Sequence, residues 1–122
     1  MNRSRFNYEC NRTRKERMDT TDRIIAEKLK SRLSEKIPLI DLRIFGSRAR
    51  GEEDNDSDMD VFLEVESLNR NQKETIHDLT WETGLEFGLV ISPLIFTREE
   101  IENSPLRSSP VLMNIFREGI IV

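Results

Sequence analysis

Phe45-Gly46-Ser47-Arg48-Ala49-Arg50-Gly51, followed by Asp54, Asp56, Ser57, Asp58, Met59 and Asp60, is the stretch that decides how this chain folds. It joins two runs with strand alternation. Residues 39–45 place Ile40, Leu42 and Ile44 on one face and stop at Gly46. Residues 59–65 place Met59, Val61, Leu63 and Val65 on one face, with Asp58, Asp60, Phe62 and Glu64 on the other. A glycine at the end of a buried strand permits a tight turn and a close approach of backbone to phosphate, and a helix starting at Ser47 would aim its free N–H groups at that anion. Ser47 adds a hydroxyl donor. Asp58 and Asp60, two apart on a strand, leave the same face with Cα atoms about 6–7 Å apart. Their oxygens are the hard ligands that Mg²⁺ takes, and two such ions about 3.5–4 Å apart stabilise both entering and leaving oxygens in phosphoryl transfer. A phosphate cradle and a metal site are therefore expected side by side.

Outward from this centre the periodicities are clear. Ile25, Leu29 and Leu33 recur one turn apart in residues 19–34, an amphipathic helix with Asp19, Thr20 or Thr21 as N-cap. A second helix is expected over about 69–87, with Ile76, Leu79, Thr83 and Phe87 on its stripe and Gly88 as C-cap. Residues 89–96 suit a third strand, which Pro93 assigns to an edge or a bulge. Thr97 and Glu100 have capping-box spacing for a short helix ending at Ser104-Pro105, and Ser109-Pro110 starts a last helix through about Glu118. Gly119 ends it, leaving 120–122 as a final strand. The order is that of an α+β fold with one small mixed sheet and helices packed on it.

The whole chain has 122 residues, 36% apolar and 34% charged, which bounds it to one globular domain. No stretch is long and apolar enough for a membrane span, nor does the N-terminus have the apolar core of a secretory signal, so the expected location is cytoplasmic. Cys10 is the only cysteine and closes no internal disulfide. Residues 1–17 carry net +4 and the remainder −8. The first are expected as a flexible basic tail, alternatively a basic arm on nucleic acid, and 18–122 as the domain, with Met18 as an alternative start. The acidic body lacks the broad basic surface that generic nucleic-acid binding requires.

Gly46-Ser47, ten intervening residues and then Asp58-Met59-Asp60 resemble the signature of the DNA polymerase beta nucleotidyltransferase superfamily, most closely its minimal nucleotidyltransferases. The resemblance covers the chain from Met18 onward. It implies the nucleotidyltransferase fold and transfer of a nucleoside monophosphate from a nucleoside triphosphate to a hydroxyl of a small molecule or protein. It assigns Gly46 and Ser47 to the nucleotide phosphates, and Asp58 and Asp60 to Mg²⁺ as catalytic and metal-binding carboxylates. The family also uses a third carboxylate on a later strand, and here the chain departs: residues 89–96 contain no acid, with Ser92 near the expected position, while Glu64 and Glu86 do not match it. A binding module that keeps the fold without catalysis is therefore the alternative. The resemblance also implies a small helical partner, as in toxin–antitoxin modules, and the chain leaves a homodimer open.

Competing motifs fail on residues. Gly46 and Gly51 have P-loop glycine spacing, but Glu52-Glu53 replaces the required Lys and Ser or Thr. A calcium loop from Asp54 would need Gly at Met59 and Glu at Val65, and one from Asp56 fails at Val61 and Ser67. Arg48 is assigned to phosphate, with pairing to an acidic neighbour as the alternative, and Arg50 is unassigned. His77 reads as a surface residue. Trp81 and Leu85, off the main stripe of their helix, are expected to widen the core face rather than to contact another protein.

Overall fold

A computed structural model of the chain describes residues 19–51 and 58–122, without the side chains of Leu106 and Arg107. The readings placed on residues 1–17 and on Glu52, Glu53, Asp54 and Asp56 lie outside the described residues. Helix α1 (Thr20–Lys36) is followed by strands β1 (Leu39–Phe45) and β2 (Met59–Val65), helix α2 (Arg70–Phe87), strand β3 (Ile91–Thr97), helix α3 (Arg98–Asn103), a 3₁₀ turn (Pro105–Ser108), helix α4 (Pro110–Glu118) and strand β4 (Ile120–Ile121). The caps explain several boundaries. Asp19 accepts from the Thr21 N–H, while Asn69 with Gln72 and Thr97 with Glu100 form reciprocal capping boxes. Gly88 ends α2 in the left-handed region at φ 74°, donating back to Gly84 and Leu85.

The sheet order is β3-β2-β1-β4, with β1 antiparallel to β2 and β4 and with β2 parallel to β3. Pro93 thus lies on an edge strand, where a missing N–H is tolerated. The central strand β2 is covered on both faces. Met59, Val61, Leu63 and Val65 pack with Leu42 and Ile44 against Ile25, Leu29 and Leu33 of α1 and Ile76 of α2. On the opposite face Phe62 packs with Ile101, Leu112 and Ile115, and its ring meets Phe96 and Phe116 at centroid distances of 6.0 and 5.4 Å. Helices α1 and α2 are joined by Arg32, which donates to Thr83 Oγ1 at 3.0 Å and pairs with Glu86 at 2.6 Å.

Two packing expectations are corrected. Ile40 does not join Leu42 and Ile44 in the core but is exposed, because the β1–β2 register shifts between Leu39 and Asp41 and leaves residue 40 as the extra residue of a bulge. Trp81 and Leu85 are 67% and 62% exposed. Helix α2 buries Ile76, Thr80, Thr83 and Gly84 instead, a face of small side chains that lets it lie close on the sheet. A β-carbon at Gly84 would stand 2.5 Å from the Leu89 carbonyl oxygen. The Trp81 flank overhangs the β3 edge, where no further strand follows to cover it.

Candidate active site

Strands β1 and β2 bring the two halves of the sequence motif together through their register. Phe45 pairs with Asp60, so the turn after β1 begins beside the first carboxylates of β2. Gly46 has φ +79°, and a β-carbon there would lie 2.7 Å from Asp60 Oδ2. Both the backbone conformation and the contact therefore require glycine. The residues after it form a tight run of turns, with the Arg50 N–H shared between the Gly46 and Ser47 carbonyls at 3.3 and 3.2 Å and the Gly51 N–H on Arg48 at 3.3 Å. The helical start envisaged at Ser47 is this turn run rather than an α-helix.

Asp58 is exposed at the mouth of β2, and Asp60 is partly buried one pleat further in. Among the described residues no basic side chain pairs with either carboxylate. Burial, and then the charge of Asp58, pushes the Asp60 carboxyl above its ordinary range. A bound cation would relieve both effects. Two same-face carboxylates with hard oxygens and no resident cation fit a divalent ion, although no group of three acidic, His or Cys ligands occurs among the described residues.

The parallel β2–β3 ladder sets Ser92 opposite Asp60, and the Met59 N–H donates to the Val90 carbonyl. Ser92 Oγ donates to Asp58 Oδ2 at 3.4 Å. The β3 position nearest the pair thus carries a hydroxyl where the sequence comparison calls for an acid. Glu64 lies on the same face of β2 but is 3% exposed and pairs in register with Asp41, deep beneath the Phe62 cluster. Glu86 is on α2, held by Arg32 and Lys28, whose hydrogen bonds lower its carboxyl below the ordinary range. Neither reaches the pair.

Arg48 is engaged by a residue that the motif reading did not select. Its Nη1 donates to Asp22 Oδ1 at 2.7 Å, and the Asp22 side chain is almost fully buried. Burial raises the Asp22 carboxyl and Arg48 counteracts that shift. This pair fastens the Gly46–Arg50 turn to α1. Asp22 precedes Ile25, Ala26 and Leu29 at the spacing of the buried stripe, which is the signal that marks it in the sequence. His77 is exposed on α2, as expected, and beside it Trp81, Leu85 and Val90 border a groove of about 400 Å³.

A nucleotidyltransferase domain model matches residues 26–122. A protein of Methanocaldococcus jannaschii named "Putative protein adenylyltransferase" is 32% identical over 68 residues, covering 49% of this chain and 69% of the relative. Domains of this kind generally use divalent metal ions and take a nucleoside triphosphate as substrate. With the motif assembled on one sheet face and the match running through the last residue, the chain belongs to the nucleotidyltransferase domain family.

Proposed function

We propose that this chain transfers a nucleoside monophosphate from a nucleoside triphosphate to a hydroxyl, with protein as the acceptor class. The observation that carries this reading is the contact of Gly46 with Asp60 Oδ2, beside an Asp58 that likewise has no basic partner among the described residues. Gly46 and Ser47 cradle the phosphates, while Asp58 and Asp60 hold Mg²⁺. When bound, the ion supplies charge stabilisation to the transferring phosphoryl group. The acceptor oxygen attacks the α-phosphorus, the bond from that phosphorus to the bridging oxygen breaks, and pyrophosphate leaves. The acceptor proton passes to solvent, since Ser92 rather than an acid stands beside the pair. Arg48 supports the turn through Asp22. A protein acceptor is supported by the exposed Trp81, Leu85 and Val90, because Val90 adjoins the mouth of β2. The named activity of the archaeal relative points the same way.

The second reading is a nucleotide-binding or interaction module without catalysis, such as the partner of a small helical protein. Ser92 in β3 and Val90 just before it, rather than acids, beside the pair favour it. Calorimetric titration of ATP with and without Mg²⁺, with Asp58→Asn as control, tests the site. Mg²⁺-dependent binding lost in the variant supports a nucleotide site under either reading, and no binding to the native chain overturns the transferase and leaves only the interaction module. Pyrophosphate release with a protein acceptor then separates them. If an acid at this position is what limits turnover, Ser92→Asp raises the rate by roughly 10²-fold, the lower end of the span attributed to a positioned general base. Binding without release in either form leaves the module reading.

A further inference from the structure

Among the described residues, one cavity near the mouth of β2 lies on each face of the sheet. The Trp81 groove runs along α2 and the β3 edge, on the face covered by α1 and α2. A smaller cavity of about 200 Å³ lies between the Gly46–Arg50 turn and α4, on the face that carries Asp58, Asp60 and Phe62. Phe45, Ala49, Val111 and Ile115 give it apolar walls, Arg50 of the turn also lines it, and Asn114 and Glu118 stand along one side, one helical turn apart. Gly46 lines this cavity and also abuts the Asp60 carboxylate, so the cavity and Asp60 adjoin at one residue.

We propose that this smaller cavity receives the nucleobase of the nucleoside triphosphate, with the Asn114 amide against the edge of the base. The proposal rests on the reading that Gly46, Ser47, Asp58 and Asp60 bind the triphosphate. Its size fits the assignment: an apolar cavity of roughly 150 Å³ takes one benzene ring, so this one holds a ring system but not a complete nucleotide. The base would enter while ribose and phosphates remain over Gly46 and the carboxylates. Apolar walls suit the faces of a flat heteroaromatic ring, and its edge needs polar partners. Arg117 Nη2 donates to Asn114 Oδ1, which fixes the amide and leaves its N–H groups as donors. Glu118 adds an acceptor beside them. Every nucleobase presents a donor and an acceptor next to each other, the complement of this pair.

The test compares ATP with inorganic tripolyphosphate, each titrated calorimetrically with Mg²⁺ into the full chain, Val111→Trp and Asn114→Ala. Val111 is half exposed on α4, so an indole there fills the cavity without entering the core. The native chain should bind ATP more tightly than tripolyphosphate. Val111→Trp should weaken ATP by roughly 10- to 100-fold, the range that loss of a base contact spans, and leave tripolyphosphate within about twofold. Asn114→Ala should weaken ATP alone, by about 3- to 10-fold, and serves if the tryptophan variant does not fold. Equal affinity of the native chain for the two ligands, ATP binding unchanged or tighter in the variants, or equal losses for both ligands overturns the base assignment while the triphosphate reading stands. Binding of neither ligand to the native chain overturns both.

Discussion

One face of β2 carries two acidic regions with opposite fates. At its mouth Asp58 and Asp60 stand without a basic partner among the described residues, and three pleats in from the mouth Glu64 is buried beside Asp41, whose carboxylate is held by Arg43 Nε at 2.8 Å. Arg43 is itself buried, with its guanidinium 5.0 Å from the centroid of Phe116. The inner region has a built-in cation and belongs to the core under α4. The outer region has carboxylates, a glycine pressed against Asp60 and a hydroxyl 3.4 Å from Asp58, but no basic partner among the described residues. The number of acids is thus less informative than whether the fold supplies their counter-charge. A carboxylate pair left uncompensated costs stability in the free protein, and the ligand proposed for this site would bring the missing charge.

The sharpest way to break this contrast is Arg43→Met, which keeps much of the volume and removes the inner cation. Leaving Asp41 part-buried and Glu64 buried without it should cost about 3–5 kcal/mol in chemical denaturation. A loss under 1 kcal/mol would show that the inner acids do not depend on Arg43. Gly46→Ala comes next. The left-handed strain and the contact with Asp60 together should cost about 1–3 kcal/mol and abolish measurable Mg²⁺-dependent ATP binding, whereas retained binding would remove Gly46 from the cradle.

Asp60→Asn should separate function from stability. Because its folded-state carboxyl is raised, the folded chain keeps the Asp60 proton to higher pH than the unfolded chain does. Stability therefore falls as pH rises from the ordinary carboxylate range through the raised value, and stays at the lower level above it. The variant should lose ATP binding yet be more stable at neutral pH by ~0.5 kcal/mol after allowance for solvent screening, or about 2–4 °C in melting temperature. A variant that melts below the native chain would show that Asp60 is a structural member of the sheet. The smallest effect is expected from Trp81→Ser, within about 0.5 kcal/mol in stability, since the indole is mostly exposed. A loss of more than 1 kcal/mol would return Trp81 to the core.

Much of the architecture was legible because its signals are local. Alternation set β1 and β2, the Gly88 cap ended α2 and the Thr97 cap started α3, and Pro93 marked an edge strand. Ile40 was misassigned because a bulge interrupts the period of two, and Trp81 because an apolar flank on a helix does not reveal whether anything lies across from it. At the site, the spacing of Gly46, Ser47, Asp58 and Asp60 identified the motif. The Arg48–Asp22 pair joins residues 26 apart in sequence, and no local pattern specifies such a partner.

The sequence by itself determined the strand-turn-strand motif, the shared face of Asp58 and Asp60, and the absence of an acid from residues 89–96, because these follow from backbone periodicity and residue identity alone. Tertiary structure alone decided that Gly46 touches Asp60, that Ser92 stands where a third acid is sought, that Glu64 lies in the core, and that α4 closes a second cavity beside the carboxylates. Each of these depends on strand register and on which helix covers which face, and those are settled by burying the whole core at once.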